Sequence, residues 1–234
     1  MSESSLSSEY VLDISDLKFR WSKHSPLMHM DSLQVQKGEK VFLKGESGSG
    51  KSTLLSLIGG VSEPDSGVLK VLGQDLAKMT AKQRDLFRAE HLGLIFQQFN
   101  LIPYLTSIDN VLLTGRFSKH RRIQPSGAIA LLDKLGLDQS LLGKSVTQLS
   151  IGQQQRVAAA RALAGKPSLI IADEPTSALD ENTRDAYLQL LFEQCDDNNA
   201  TLLFVSHDKH LASQFDRQLN VSELISWHMS KEGV

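Results

Sequence analysis

The residues whose types and spacing could do chemistry begin at residues 45–53, which read Gly-Glu-Ser-Gly-Ser-Gly-Lys-Ser-Thr. This segment fits the phosphate-binding loop pattern of Gly, four residues and Gly-Lys-Ser. Glycines let backbone N–H groups approach phosphate oxygens, because no Cβ stands in the way. Lys51 can pair with the β- and γ-phosphates, and the Ser52 hydroxyl can coordinate Mg²⁺. The predicted nucleotide contacts are Gly45, Ser47, Gly48, Ser49, Gly50, Lys51, Ser52 and Thr53.

The flanks of this loop favour the phosphate-binding interpretation. Residues 40–44 form a short apolar run typical of a strand, and Leu54, Leu55, Leu57 and Ile58 supply an apolar helical face after the loop. A helix that begins near Lys51 would direct its N-terminal dipole and free amides at an anion. The alternative, a Gly/Ser-rich surface linker, would lack this apolar periodicity.

Two acids follow an aliphatic run at residues 169–172. The run predicts a buried parallel strand that ends on Asp173 and Glu174 at the edge where open α/β sheets bind ligands. There Asp173 would hold Mg²⁺, and Glu174 would polarise the attacking water as a general base. An ordinary strand end has the same pattern, but the phosphate-binding loop favours the catalytic interpretation.

A second apolar run, at residues 202–205, ends on Ser206 and His207. His207 could donate a hydrogen bond toward a γ-phosphate or position Glu174. A histidine at an ordinary strand end is the alternative. A metal pair with His210 is disfavoured, because no third ligand is evident nearby.

Ser150 stands directly before a predicted helix at residues 153–164. A serine there can cap the helix and make its N-terminus receptive to an anion. Alone this is an ordinary cap. Since residues 45–53 already form one phosphate site, a second such terminus suggests that two chains share each nucleotide.

Composition limits the function classes. The chain has 234 residues, with 25 Lys and Arg against 27 Asp and Glu, so its charge does not indicate a nucleic-acid or anionic-lipid ligand. No window approaches about 18 uninterrupted apolar residues. Residues 1–9 are rich in Ser and Glu and are expected to be a disordered leader rather than a secretory signal. These features predict a cytosolic protein.

Two features carry no predicted chemistry. Cys195 is the single cysteine, which excludes an internal disulfide, and it is expected on a helix face without a reactive role. Residues 119–122 read Lys-His-Arg-Arg. This patch could touch lipid headgroups or a partner, but a solvated loop is favoured.

The order of apolar patterns predicts one doubly wound α/β core interrupted by a helical lobe. Strand-like runs occupy residues 11–14, 35–43, 68–72, 94–96, 169–172 and 202–205. Helical runs occupy residues 108–117, 125–135, 152–164 and 180–194. The lobe covers about residues 100–166.

With these motifs in order, the chain resembles the ATP-binding cassette ATPases over about residues 10–220. Residues 96–103 (Phe-Gln-Gln-Phe-Asn-Leu-Ile-Pro), 106–111 and 153–158 (Gln-Gln-Gln-Arg-Val-Ala) look most like the lipoprotein-release, macrolide-export and cell-division-associated branch. The resemblance implies a P-loop NTPase sheet with an antiparallel β portion and an inserted α-helical subdomain. It implies one domain over residues 10–234, with the catalytic core at about 10–99 and 167–234 and the helical subdomain at about 100–166.

The resemblance also implies residue roles. Gln97 matches the Q-loop glutamine, which touches Mg²⁺ or water and relays movement to a membrane partner. Residues 177–180, Ser-Ala-Leu-Asp, match the D-loop that crosses the dimer seam and place Asp180 near the nucleotide. Trp21 lies where the family keeps an aromatic residue that stacks on adenine, and Phe19 is a competing candidate.

Family members act as head-to-tail dimers. The resemblance implies that Ser150, Gly152 and Gln153 of one subunit close over the ATP held by Lys51 of the other. ATP and Mg²⁺ are the implied cofactors, and a transmembrane permease is the implied partner. The ATPase would form a homodimer or heterodimer, bind no nucleic acid, and sit peripherally at the cytoplasmic face of the inner membrane.

The chain departs from the family pattern at two places. Ile151 stands where the family usually has glycine. A β-branched residue would be strained at positive φ but would cost little at an ordinary helix start, and the second geometry is favoured because Ser150, Gly152 and Gln153 are intact. Residues after about 217 match the family poorly.

The function predicted first is an ATPase that drives a permease in export or extraction of a lipophilic or peptide cargo. A regulatory or mechanical module, which switches a membrane partner without moving cargo, is the alternative. A cassette acting on ribosomes or DNA is disfavoured, because the chain has one cassette, no long heptad insert and no basic surplus.

Overall fold

The computed structural model describes residues 9–118, 121–177 and 179–229. The strands of these residues are β1 (Tyr10–Phe19), β2 (Leu27–Gln36), β3 (Lys40–Lys44), β4 (Ser66–Val71), β5 (Gln74–Asp75), β6 (Leu92–Ile95), β7 (Leu169–Asp173), β8 (Thr201–Val205), β9 (Arg217–Asn220) and β10 (Ser226–His228). Their α-helices are α1 (Lys51–Ile58), α2 (Ala81–His91), α3 (Ser107–Leu112), α4 (Thr114–Phe117), α5 (Pro125–Lys134), α6 (Ile151–Leu163), α7 (Glu181–Asn198) and α8 (Val221–Leu224). The predicted leader, residues 1–9, lies almost wholly outside this range.

Five strands form a parallel sheet in the order β6-β7-β8-β3-β9. Its central strands are apolar on both faces, so successive side chains along a strand lie in two different cores. On β3, for example, Val41 and Leu43 belong to one buried cluster and Phe42 to the other. Continuous apolar runs rather than alternating ones are what a sheet covered on both faces requires.

One core lies between the parallel sheet and a second, antiparallel sheet of order β10-β2-β1-β4-β5. Helix α1 lies in this core, where Leu54, Leu57 and Ile58 are fully buried among residues of both sheets. The other face of the parallel sheet packs against helices α3, α5, α6 and α7. The predicted α/β class, with a parallel core sheet, an antiparallel portion and inserted helices, is confirmed.

Several predicted boundaries were wrong for local reasons. The run at residues 35–43 is two strands, because Gly38 turns the chain with φ 81° between β2 and β3. The helical run at residues 108–117 is divided into α3 and α4. Helix α2 was not predicted, although Thr80 and Gln83 form a capping box at its start.

The prediction that residues 119–122 form a solvated loop is wrong for Arg121. Lys119 and His120 lie outside the described residues. Arg121 is 4% exposed, and its guanidinium donates to the carbonyl oxygens of Ala162 at 2.6 Å, of Ala164 at 2.6 Å, and of Leu92. These carbonyls include the free acceptors at the C-terminal end of α6, where a cation is favoured. Arg121 therefore joins α6 to β6, whereas Arg122 is exposed.

Candidate nucleotide-binding site

Four parallel strands deliver polar residues to one edge of the sheet. Strand β3 leads into residues 45–53, β6 leads to Gln97, β7 ends on Asp173, and β8 leads to His207. A cleft of about 520 Å³ lies at this edge. Its lining residues are Gly45, Glu46, Ser47, Gly48, Gly50, Lys51, Ser52, Thr53, Gln97, Asp173, Glu174, His207 and Trp227. The structure thus gathers motifs that are far apart in sequence, as the carboxyl ends of parallel strands must.

The loop at residues 45–53 wraps the N-terminal end of α1. Gly50 is the N-cap of α1 and has φ 102°, a conformation that residues with a side chain rarely adopt. At Gly45 a Cβ would come 2.5 Å from the Ser49 hydroxyl oxygen, so any other residue there would require the Ser49 side chain to move. Lys51 Nζ donates to the carbonyl oxygens of Gly45 at 2.6 Å and Glu46 at 2.8 Å. The ammonium group is therefore held over the loop at the helix terminus, where an anion would bind.

The two acids differ in environment. Burial raises the pKa of the Asp173 carboxyl, and the neighbouring Glu174 carboxylate raises this pKa further, while Lys51 lowers it. Glu174 has φ 47°, and its backbone N–H donates to Val205 O at 2.9 Å. Its Oε2 lies 3.0 Å from His207 Nδ1. This is the contact that one of the two roles predicted for His207, the positioning of Glu174, requires.

Three of the lining residues could hold Mg²⁺. Ser52 offers a hydroxyl, Asp173 a carboxylate and Gln97 an amide oxygen, and such oxygen ligands suit this hard cation. Among the residues described, no group of three or more His, Cys, Asp or Glu could hold a metal ion without further donors. The three oxygen donors fit a Mg²⁺ ion whose other ligands would be phosphate oxygens and water.

The segment after Gln97 is tied to α6. Phe99 and Asn100 both have φ 49°, which is uncommon for residues other than glycine. Arg161 donates to the carbonyl oxygens of Phe99 at 2.7 Å and Asn100 at 2.6 Å. The Arg161 side chain thus joins helix α6, which Ser150 caps, to the segment that begins at Gln97.

The predicted adenine contact, Trp21, is not among the residues that line the cleft but is hydrogen-bonded to Thr53, which is. Trp21 is 61% exposed, and its Nε1 donates to Thr53 Oγ1 at 3.4 Å. Phe19, the competing candidate, is 5% exposed in the core and packs edge-on against Trp21 with ring centroids 5.0 Å apart. Of the two, only Trp21 presents a free aromatic face.

Ser150, Gly152 and Gln153 lie outside the cleft of their own chain. Ser150 accepts from Gln153 N at 3.3 Å, and Gln153 Oε1 accepts from Ser150 N at 2.9 Å, so the pair forms a capping box at the start of α6. Ile151 is the first helical residue, has no positive φ and is 55% exposed. The favoured geometry for Ile151, an ordinary helix start, is the one observed.

The residues that match the D-loop precede α7. Asp180 is the N-cap of α7 and accepts from Thr183 N at 3.0 Å. Ser177 is exposed, and Ala178 lies outside the described residues. Within one chain Asp180 caps a helix and is not among the residues that line the cleft.

Trp227 lines the cleft but was not predicted as a site residue. It lies after residue 217, where the family pattern is poorly matched, and a lone tryptophan in a short run carries no spacing signal. Only the pairing of β10 with β2 brings it to the site.

Comparisons with known proteins agree with this geometry. A family model described as ABC transporter matches residues 28–177. An ABC transporter ATP-binding protein of Escherichia coli K12, YbbA, is 45% identical over 193 residues, covering 81% of this chain and 83% of the relative. The lipoprotein-releasing system ATP-binding protein LolD of Hydrogenovibrio crunogenus is 37% identical and covers 92% of this chain and 95% of its own. The macrolide export ATP-binding/permease protein MacB of Rhodopirellula baltica is 37% identical over 201 residues. This match covers 85% of this chain and 29% of MacB.

A solved structure is also similar. The ATP-binding cassette MJ0796, in a dimeric post-hydrolysis state bound to ADP and Pi, aligns with a TM-score of 0.79 and 31% identity over 95% of this chain and all of its own. Among the described residues, no helix is long and apolar enough to cross a bilayer. The geometry of the cleft is in keeping with these matches. The family model and the relatives show that the chain belongs to the ABC transporter family, as an ATP-binding cassette ATPase.

Proposed function

We propose that this chain binds ATP with Mg²⁺ in the cleft and hydrolyses it to drive a membrane permease in export or extraction of a lipophilic or peptide cargo. The observation that carries the proposal is the convergence of the phosphate-binding loop, Asp173, Glu174 and His207 on one cleft. The names of LolD and MacB, which refer to lipoprotein release and macrolide export, support the direction of transport.

In this proposal the chain's own residues bind and orient the triphosphate. Backbone amides of residues 45–53 and the Lys51 ammonium bind the β- and γ-phosphates, and Trp21 stacks on adenine. Ser52, Asp173 and Gln97 would hold a Mg²⁺ ion, which would supply neutralisation of the charge that develops on the phosphates. Phosphoryl transfer depends mainly on such positioning and charge stabilisation.

Glu174 is the proposed general base. It accepts a proton from water as that water attacks the γ-phosphorus and the bond to the β-phosphate oxygen breaks. His207 positions the carboxylate through the 3.0 Å contact with Oε2. Glu174 follows β7 directly, has φ 47° and lines the cleft.

A second copy, or a related ATPase subunit, completes the site in this proposal. Ser150, Gly152 and Gln153 of one subunit would close over the ATP held by the other, with residues 177–180 at the seam. Closure and reopening would move the permease through the segment at Gln97. The ATPase would thus attach peripherally, through the permease, to the cytoplasmic face of the inner membrane.

Lys51→Ala tests the binding step. We expect at least tenfold weaker binding of a non-hydrolysable ATP analogue with Mg²⁺ in calorimetry, because the phosphates lose their principal cation. Lys82→Ala, which removes an exposed lysine from α2, is the matched control and should bind as the wild type does. Equal affinity of Lys51→Ala and wild type would refute the phosphate site.

A further inference from the structure

Trp227 reaches the cleft from the C-terminal edge strand β10. It lines the cleft together with most of residues 45–53, and it is 39% exposed. The roles proposed above for the cleft do not use this residue. Its placement therefore needs a separate explanation.

Strand register determines where the Trp227 ring points. Trp227 lies opposite Met28 on β2, and Met28 lies opposite Phe19 on β1. Directly opposed residues of antiparallel strands project from the same face of a sheet. Met28 and Phe19 are buried in the core that contains α1. Trp227 extends this row beyond the core, toward the N-terminal end of α1.

The ring lies against the N-cap of that helix. A Cβ placed on Gly50 would come 3.1 Å from Trp227 Cζ2, so the glycine leaves the indole room to approach the loop backbone. Trp21, which lies two residues after the end of β1, approaches the same helix through its hydrogen bond to Thr53. Two indoles thus contact α1 within its first turn, at Gly50 and at Thr53.

The chemistry of an indole indicates what it would contact. Its ring is uncharged and flat, with a single N–H donor, so it is poorly suited to phosphate and well suited to a purine or ribose face. Aromatic side chains that contact a base contribute substantially to nucleotide affinity. The phosphates, by contrast, already have the loop amides and Lys51.

We propose that Trp227 is a second nucleotide-contacting aromatic residue, which packs against the nucleoside part of the bound nucleotide. This inference rests on the proposed function, because it requires ATP in the cleft. It assigns to the C-terminal strand β10 a part in the binding site in addition to its place at the edge of the sheet.

Trp227→Ala, Trp227→Phe and Met229→Ala, each in the full chain, test this inference by calorimetry with Mg-ADP and with magnesium tripolyphosphate, which has no nucleoside. We expect Trp227→Ala to weaken ADP binding about tenfold and to leave tripolyphosphate binding unchanged. Trp227→Phe keeps a ring and should recover most of the affinity. Met229→Ala, which alters a 77% exposed residue of the same segment, should bind both ligands as the wild type does.

Two results would overturn the inference alone: ADP affinity unchanged in Trp227→Ala, or equal weakening of ADP and tripolyphosphate, which would indicate that Trp227 supports the loop through Gly50. A wild-type protein that binds neither ligand would overturn the proposed function and this inference with it. Thermal melting of each variant without ligand separates folding defects from binding defects, and Trp227→Phe keeps the test valid if Trp227→Ala does not fold.

Discussion

At the residue scale, the Glu174 carboxylate is fixed by its backbone and by its neighbour. Its φ of 47° is a conformation that residues other than Gly, Asn and Asp seldom adopt, and His207 lies 3.0 Å from its Oε2. Such local strain persists only where surrounding contacts impose it, and here the backbone bond to Val205 does so. The arrangement suits a base that must hold one orientation toward a water molecule.

His207→Ala tests whether that orientation matters for hydrolysis. We expect the ATPase rate to fall about a hundredfold while affinity for a non-hydrolysable ATP analogue stays within about threefold, because the histidine acts on the carboxylate more than on the phosphates. His210→Ala is the matched control, since His210 is exposed three residues further along the same loop. Phosphate-release assays that gave the same rate for His207→Ala and wild type would contradict the positioning role.

Residue patterns were sufficient to predict most of the cleft. Asp173 ends a strand, and the residues at 45–53, Gln97, Glu174 and His207 follow one. Parallel strands bring such ends to one edge of the sheet. Trp227 was not predictable, because its position depends on a three-residue strand pairing with β2, some 200 residues away. The burial of Arg121 was not predictable for a related reason. Its acceptors are backbone carbonyl oxygens, which every residue type carries, so the sequence does not indicate them.

At the element scale, Arg121 connects the last turn of α6 to β6. The Arg121 backbone also packs closely against Gly165, which has φ 69°. A Cβ at residue 165 would lie 2.4 Å from Arg121 Cα, so there is no space for one. Burial lowers the pKa of the Arg121 guanidinium to about 10, so the group still carries its charge at neutral pH. A buried guanidinium is stable only while its hydrogen bonds are made. The three carbonyl partners of Arg121 therefore fix α6 against the core.

Arg121→Met is expected to lower the free energy of unfolding by about 3 kcal/mol, because the carbonyl oxygens of Leu92, Ala162 and Ala164 would lose their donor inside the protein. Arg122→Met, a change of the exposed neighbour, should stay within about 0.5 kcal/mol of wild type. Urea denaturation measures both. Equal midpoints for the two variants would show that the guanidinium contacts contribute little.

At the scale of the whole molecule, the proposed function uses two separate surfaces of one chain. The cleft at residues 45–53 is one, and the capped start of α6 at Ser150 is the other. Ile151 is exposed beside that cap and has helical geometry, so its side chain does not disturb the helix start. The separation favours a nucleotide bound between two chains, and a related cassette of known structure is dimeric.

Glu174→Gln gives the most direct test of this central claim, because the variant should bind ATP and fail to hydrolyse it. With Mg-ATP, we expect light scattering after size-exclusion chromatography to give twice the mass of one chain. Adding Lys51→Ala to the same variant should restore the mass of one chain. A Glu174→Gln protein that binds ATP and keeps the mass of one chain at every protein concentration would contradict a site shared between two copies of this chain.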